Sequence, residues 1–476
     1  MSSMEPGFPG EMTNENICSI FDGAADFNYR PLKCGVNTLY TYAIDGITSG
    51  GDISDYIFKP ILENLQGSTM EELYRRALDC TVYNSVASAC RNLEDVAFRL
   101  VNGFCVVLFP GAGAVAFEVK TSEKRSLSAP QVENSVKGPK DAFVETVRTN
   151  TSLIRRHLRS PMLRFTEMQV GRRSLTNVSV VWLQGITSEK LVERMVRRLK
   201  EIDIDGLISP AAVEEYVTGS RATAFPLLQY TERTDRFCQG ILDGRIGLLV
   251  DGLPLGYLAP VDLMYLMESA EDRSKDYFTA SGLRVLRYIA LTVSLLLPGI
   301  YIALATFHQA VIPLPMLRAI IESKQQVPFS TTAEILGLLI AFELLQESGV
   351  HLPHAIGQSV SIIGGIVVGT AAVEAGIISP VALMVVSIAG VCGFVLPNRD
   401  LAEAVRLWRF AIAALSALGG IWGTLAGFAA LLIHLIGLKS MGLSYLAYTG
   451  RILRPRLKKM KYREKRLHVK DRRNQM

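Results

Sequence analysis

The sequence is poor in the patterns that mark disulfide-rich proteins, metalloproteins and common enzymes. Its seven cysteines form no CxxC pair and have no His partner at metal spacing, so we expect reduced, mostly buried thiols and no metal site. The glycines in residues 49–51 and 110–114 complete no phosphate-binding loop. His351 and His354 flank Pro353 and are expected in a loop. Because no Ser, His and Asp set stands out, we expect neither an enzyme nor a cofactor.

A secretion signal and long apolar runs are also absent from the first part of the chain. The opening residues, MSSMEPGFPGEMTNEN, lack a basic start and an apolar core, so no cleavable signal peptide is expected, and residues 1–13 are predicted to be disordered. Charges are dense up to about Leu283, whereas hydrophobic segments follow one another from there to Leu438. The composition therefore predicts a cytosolic domain followed by a membrane domain.

The cytosolic part has a mixed α/β pattern in which one order of elements occurs twice. In each half an apolar strand leads to a capped helix, and a second helix leads to a hairpin. The matching markers lie 139 and 141 residues apart: Gly46-Ile47-Thr48 with Gly185-Ile186-Thr187, and Asn102-Gly103 with Asp243-Gly244. This repetition predicts two similar α/β subdomains, one over residues 14–120 and one over residues 121–280, the second preceded by a linker helix at 141–158.

An α-helical transmembrane bundle is predicted over residues 281–440. Its apolar segments are residues 288–307, 333–345, 355–374, 376–396 and 410–438. Residues 441–476 are predicted to be a basic cytosolic tail, since from Arg451 onward twelve Lys and Arg face only Glu464 and Asp471. Such a tail is expected to contact anionic membrane lipids. It lacks interleaved aromatics, so nucleic-acid binding is not expected.

The number of membrane crossings is constrained because both termini are expected in the cytoplasm. The last segment has 29 residues, about 43 Å as a helix, which is too long for one upright crossing and too short for two. If this segment counts as one crossing, the chain has five crossings, an odd number that would place the two termini on opposite sides of the membrane. We therefore predict that residues 333–345 form a re-entrant or broken helix, because their uncharged run is short and carboxylates flank it.

A stripe of small residues and a set of polar groups mark the centre of the membrane domain. The stripe recurs at every fourth position: Gly357, Ser361, Gly365 and Gly369. Such a face either packs against another helix or lines a pore, and the pattern leaves both open. The polar residues that form a candidate ion pathway are Glu343, Glu347, Gln358, Thr370 and Glu374. A carboxylate inside an apolar helix is costly and hence a functional candidate, although Glu343 has the alternative of bonding a neighbouring helix.

Long sequence blocks carry a resemblance to a known family. They include GPKDAFVETVRTNTSLIRRHLRSPML, GILDGRIGLLVDGLP, LRYIALTVSLLLPGIYIALATFHQ and FELLQESGVHLPHAIGQSVSIIGGIVVGTAAVEAGIISP. In these blocks, which lie between about Leu32 and Leu438, the chain resembles the A subunit of the GerA-type spore germinant receptors. It also resembles their close relative, the stage V sporulation AF protein. Ser330 and Thr331 depart from prolines that are frequent in the family, and Glu374 departs from a frequent Gln.

The resemblance implies a role in spore germination. A GerA-type A subunit is expected in the spore inner membrane, beside a transporter-like B subunit and a C-subunit lipoprotein. It is also expected to form a homo-oligomer that conducts ions, so that ion release triggers germination. Two alternatives stay open: a receptor scaffold that does not conduct, and an AF-like protein that acts beside the receptor.

The predicted topology can be tested with a cysteine placed in the basic tail. In the Val469→Cys variant, an impermeant thiol reagent applied to intact cells is expected to add no labelling above the wild-type background, because the tail is cytoplasmic. Permeabilised cells are the positive control and should show the additional label. Labelling of intact cells would contradict an even number of crossings.

Overall fold

The computed structural model describes residues 8, 10–65, 69–79, 82, 84, 86–121, 130, 133, 138–219, 223–350 and 369–446. These residues fall into two compact units. The first unit is built from residues before 220 together with 228–260, and the second from residues 223–227 and 261–446.

The first unit contains two antiparallel five-stranded sheets with the same topology. The strands of the first sheet are β1 (Phe27–Cys34), β2 (Asn37–Ile44), β3 (Ala87–Cys90), β4 (Phe104–Phe109) and β5 (Gly113–Glu118). Those of the second sheet are β6 (Leu163–Val170), β7 (Thr176–Leu183), β8 (Gln229–Thr231), β9 (Ile246–Val250) and β10 (Gly256–Ala259). The spatial orders are β1-β2-β4-β5-β3 and β6-β7-β9-β10-β8. The same order in both sheets identifies a duplicated α/β fold.

Helices extend the match between the two copies. The first copy contains α1 (Asn14–Ile20), α2 (Gly50–Ile53), a π-helical segment (Ser54–Phe58), α3 (Lys59–Asn64), α4 (Met70–Leu78) and α5 (Leu93–Val101). The second copy contains α6 (Val147–His157), α7 (Glu189–Lys200), α8 (Pro210–Thr218) and α9 (Thr234–Leu242). Each copy begins with a helix and a hairpin, continues through helical segments and one strand, and ends with a helix and a hairpin. The helix predicted as a linker, α6, therefore occupies the position of α1 and begins the second copy.

The start of α6 differs from the prediction, because the helix begins at Val147 and not at residue 141. The side-chain amide of Asn150 donates to the Val144 carbonyl at 2.6 Å, and its oxygen accepts from the Val144 N–H at 2.9 Å. Ala142 forms an isolated antiparallel bridge with Arg233. These bonds occupy backbone groups that a longer helix would need, so the chain stays non-helical up to Thr146.

Two buried arginines join the two copies. Arg155 of α6 is 1% exposed, and its guanidinium donates to both carboxylate oxygens of Asp26, at 2.8 and 2.9 Å. Arg164 of β6 donates to the Ile20 carbonyl, at the end of α1, at 2.7 Å. Asp26 directly precedes β1. Because α1 and β1 are the equivalents of α6 and β6, the same corner of each copy forms the joint.

A second polar contact, between Asp141, His157 and Thr234, holds the segment before α6 against α9. The Asp141 carboxylate lies 2.6 Å from Nε2 of His157 and accepts a short hydrogen bond from the Thr234 hydroxyl. Burial acts to raise the pKa of Asp141, but the bonds from His157 and Thr234 outweigh it and lower that pKa to about 2. The bond to Asp141 in turn raises the pKa of His157, which burial opposes only in part.

The second unit is helical and apolar. Its helices are α10 (Leu263–Leu266), α11 (Tyr277–Thr306), α12 (Leu314–Lys324), α13 (Thr331–Val350), α14 (Pro380–Phe394) and α15 (Arg399–Gly437). Short 3-10 turns lie at Ala270–Arg273 and Gln309–Val311, and the strands β11 (Lys439–Ser440) and β12 (Leu443–Ser444) follow α15. Among the described residues, α11 and α15 are the two helices long and apolar enough to cross a membrane by length and composition.

The helix α13 is continuous from Thr331 to Val350, so the predicted break within residues 333–345 is wrong. One face carries Ile335, Leu338 and Leu339, which are at most 1% exposed in a core shared with residues of α11 and α14. This burial holds the segment helical, and its two inner carboxylates have cationic partners, described below. Nothing in the backbone of α13 requires a water-filled cavity.

The helix α15 is a hairpin of two antiparallel arms. Gly420 has φ 58° and ψ −135°, outside the helical region, and separates a first arm (residues 399–419) from a second arm (residues 421–437). In one straight helix Trp408 and His434 would be about 39 Å apart, yet their ring centroids are 5.5 Å apart. The hydroxyls of Ser416 and Thr424 lie 2.8 Å apart across the turn. The prediction of a single apolar segment over residues 410–438 is therefore wrong. These residues comprise the end of the first arm and the whole of the second arm.

The pH dependence of the first unit can be followed at Cys238 of α9, a buried thiol whose burial raises its pKa. Alkylation of Cys238 then reports local opening. The His157 contribution is present below its ordinary pKa of 6.5 and is lost as pH rises through the raised value. The Asp141 contribution is present above its ordinary pKa of 3.8 and is lost as pH falls toward about 2. We expect His157→Gln to raise the alkylation rate several-fold near pH 5.5 and by a smaller factor above pH 8. A rate ratio between variant and wild type that is constant with pH would contradict this.

The hairpin can be tested at Gly423, where an added methyl group would lie 2.0 Å from the Leu415 carbonyl oxygen. Gly423→Ala must push the arms apart, and we expect a loss of about 1–3 kcal/mol in the free energy of unfolding. Gly419→Ala is the matched control, because nothing lies within 4 Å of its added methyl group. Thermal unfolding of the detergent-purified chain is the measurement. Equal melting temperatures for the two variants would contradict the hairpin.

Candidate functional site

Among the described residues of the second unit, charged side chains form three groups that are buried or partly buried, the first of which lies at the start of α11. There the Asp272 carboxylate, 0% exposed, accepts from Arg287 at 2.7 and 2.8 Å and from Arg284 at 3.0 Å. Arg284 also donates to Glu268 at 3.1 Å. Burial acts to raise the pKa of Asp272, but the hydrogen bonds and charges of Arg287 and Arg284 outweigh it and lower that pKa. This group fixes the entry of α11.

The second group joins three helices around Glu334 of α13, which is 3% exposed. Its carboxylate lies 2.9 Å from Nζ of Lys324, at the end of α12. It also accepts from the backbone N–H of Ser379 at 3.1 Å and from its hydroxyl at 2.8 Å, at the start of α14. Removing one partner of a buried pair leaves an uncompensated charge, so this group anchors the N-terminal end of α13.

The third group joins α13 to the first arm of the hairpin. Glu343 accepts from Arg406 at 3.0 Å and from Arg409 at 3.2 Å, each arginine bonding a different carboxylate oxygen. Gln346, one turn along α13, accepts a short hydrogen bond from Arg406. Arg409 is 2% exposed and its Nε is buried without a partner in the described part of the chain, whereas the Glu343 side chain is 31% exposed. Glu343 therefore makes the bond to a neighbouring helix that the sequence analysis gave as the alternative to a place in the ion pathway.

The arginines of this group were missed in the sequence analysis, which began the last apolar segment at Phe410 and assigned no role to the charged residues before it. A signal was present, because Arg406 and Arg409 share one face at a spacing of three residues and directly precede the apolar run from Phe410. Local pattern does not identify their partner, since about sixty residues separate Glu343 from them.

The remaining predicted residues with described side chains lie on other surfaces. Glu347 is exposed near the end of α13. Thr370 and Glu374 are exposed one turn apart on a helical segment, residues 369–374. Gly369 is buried, and a methyl group added there would lie 3.3 Å from Leu383 of α14. Gly369, a member of the small-residue stripe, therefore packs toward a helix of the same chain, α14.

The other predicted residues fall outside the described part of the chain. They are Gly357, Gln358, Ser361 and Gly365. The basic tail from Arg451 onward is outside it as well. Their roles in a pore face, an ion pathway or a lipid contact therefore stay predictions.

The described part of the chain forms no metal site. No group of three or more His, Cys, Asp and Glu side chains there is arranged to hold a metal ion. The chemistry that this part of the molecule offers is thus charge pairing between its elements, with the carboxylates of Glu268 and Glu343 partly accessible.

The two units together define a duplicated α/β domain combined with an apolar helical unit that carries internal ion pairs. The chain belongs to the family described as Bacillus/Clostridium GerA spore germination protein, whose sequence model matches residues 15–475. This confirms the family resemblance of the sequence blocks.

Similar proteins of this family are known from Bacillus subtilis. The chain is 32% identical over 435 residues to the membrane protein YfkQ, which is described as uncharacterized, covering 91% of this chain and 84% of that protein. It is 31% identical over 430 residues to spore germination protein KA, covering 89% and 78%. Among solved structures, the N-terminal domain of the A subunit of the Bacillus megaterium spore germinant receptor GerK3 is 27% identical with a TM-score of 0.41, covering 51% of this chain and 91% of that chain.

Proposed function

We propose that the chain is the A subunit of a nutrient germinant receptor in the spore inner membrane, and that it oligomerises into an ion channel whose opening triggers germination. Its partners in this proposal are the transporter-like B subunit, the C-subunit lipoprotein and further copies of itself. Membership of a family of spore germination proteins supports the germination role. Channel activity and the partner subunits are not established by family membership and are part of the proposal.

The observation that carries the proposal is the set of charges within the apolar helical unit. Glu334, Glu343 and Arg409 lie on helices whose other faces are apolar, and two of the three are at most 3% exposed. Charged side chains at membrane depth are costly, and they are typical of ion pathways, gates and proton relays.

The hairpin supports the proposed topology. With α15 counted as two arms, the predicted apolar segments number six and no longer five. The first arm is uncharged only over residues 410–419, about 15 Å of helix, so a crossing by this arm includes the turns that carry Arg406 and Arg409. An even number of crossings returns the chain to the side on which it started, so a cytoplasmic first unit and a cytoplasmic basic tail do not require a re-entrant α13.

For the ion pathway we propose the exposed residues Thr370, Glu374 and Glu347, together with Gln358, which lies outside the described residues. Thr370 and Glu374 are exposed, whereas Gly369 on the adjacent face packs toward Leu383. In a symmetric oligomer, Glu374 of each copy would contribute to an acidic ring that attracts cations. Glu343 contributes less cation attraction, because two guanidinium groups compensate its charge.

One observation favours a second function, a receptor scaffold that does not conduct. The described carboxylates inside the helical core, Glu334 and Glu343, are both paired with cations, as in a purely structural core. An AF-like protein acting beside the receptor would share these features. Conductance distinguishes the channel from both alternatives.

The test is the current carried by the purified full-length chain in planar bilayers, with its mass measured by gel filtration. We expect an oligomer and a potassium conductance above that of protein-free bilayers. Glu374→Gln is expected to lower the cation conductance by at least about twofold, because it removes fixed negative charge from the proposed ring. Glu322→Gln, an exposed position on α12, is the matched control. A monomer, or an oligomer without conductance, would favour the scaffold.

A further inference from the structure

The two ends of α13 are held by different physical means. The N-terminal half carries the fully buried Ile335 and Leu339 and the anchored Glu334. Beyond Leu339, none of the described side chains up to Glu347 is buried, and Leu344 is 67% exposed. In the C-terminal half Phe342 is only partly buried against the core, and Glu343 and Gln346 attach it to the first arm of α15 through hydrogen bonds from the arginines.

The other partner in this contact, the first arm of α15, is fixed in the core. Leu401, Ala404 and Ile412 are each 0% exposed, and Leu401 and Ile412 pack in one cluster with Leu435 of the second arm. Arg406 and Arg409 are thus held at a defined place on a rigid surface. If the contact opens, the part that moves is the C-terminal half of α13.

The charge balance makes the contact depend on Glu343. Two guanidinium groups face the Glu343 carboxylate, and Arg409 is almost completely buried, whereas Arg406 also lies 3.6 Å from the exposed Glu403. Without Glu343, the closed arrangement would leave Arg409 buried without its carboxylate partner. Any arrangement that admits water or a counter-ion between α13 and the arm would then be favoured.

We propose that Glu343, Arg406 and Arg409 form a charge latch that holds the C-terminal half of α13 against the hairpin in the closed receptor, and that conduction begins when this latch opens. The latch rests on the proposed channel function and adds its regulation. The C-terminal half of α13 carries Glu347, one turn beyond Glu343, so its release would displace a residue of the proposed ion pathway. Arg406 and Arg409 are positioning residues that act through Glu343.

The latch and the ion-pathway interpretation of Glu343 predict opposite results for one variant. If Glu343 attracts cations, Glu343→Gln lowers the current. If Glu343 closes the latch, the same change raises the current at rest, since it weakens the closed state. A shift of about fivefold or more is expected for loss of a coupling of ordinary size.

The experiment records the resting potassium current of the purified full-length chain in planar bilayers, at equal protein amounts and without nutrient. We expect Glu343→Gln to raise this current and the exposed control Glu322→Gln to leave it unchanged. The charge-exchanged double variant, Glu343→Arg with Arg409→Glu, keeps two positive charges and one negative charge, and we expect it to restore the low current. If Glu343→Gln is recovered in too small an amount, low current in the double variant together with high current in Arg409→Glu alone supports the latch.

The outcomes separate the two proposals. A conducting wild type with an unchanged or lower current in Glu343→Gln would overturn the latch and leave the channel. A double variant that leaks as much as Glu343→Gln would also overturn it. A wild type that never conducts would overturn the proposed function, and the latch with it.

Discussion

A charge enclosed by apolar helices has to lie beside an opposite charge, and this constraint decides how the second unit is assembled. Asp272, Glu334 and Glu343 each have cationic partners from a different element of the chain. Each pair is specific to one arrangement of its helices, unlike apolar packing, which tolerates shifts. The three carboxylates therefore fix which helices are neighbours, while Ile335, Leu339 and similar residues supply the burial.

The hairpin of α15 makes this pairing possible at Glu343. Because the chain reverses at Gly420, the second arm covers the first and holds it in the core. A single straight helix of the same sequence would extend past the other helices, and its arginine-bearing turns would have only one packing surface. Because of this reversal, the apolar residues of the two arms pack together and hold Arg406 and Arg409 at fixed positions.

The duplicated sheets were predictable because their signals are local. Glycines at turns and apolar periodicity recur at one offset, and both depend on backbone geometry within a few residues. The start of α6 was misjudged because Asn150 bonds back to Val144, a competition that a periodic pattern does not reveal.

The hairpin and the arginine partners were harder to predict for a different reason. The Gly419-Gly420 pair and a segment too long for one crossing were visible in the sequence, yet apolar residues on both sides concealed the turn. Glu343 was identified from its cost in an apolar helix, but its partners are set by tertiary packing. The cost of burying a charge can be inferred from the segment that carries it. The partner that compensates the charge can be identified only when the neighbouring segments are known.

The joint between the two sheet copies restricts how whole chains can associate. Arg155 and Arg164 bring together the α1–β1 corner of one copy and the α6–β6 corner of the other, which are equivalent surfaces. A contact between like surfaces is self-complementary and closes after two members, as in a twofold dimer. Within one chain both members are already present, so this corner is saturated. Any contact between whole chains must therefore use other surfaces, and substitutions at Asp26 or Arg155 should alter the stability of each chain without redefining such contacts.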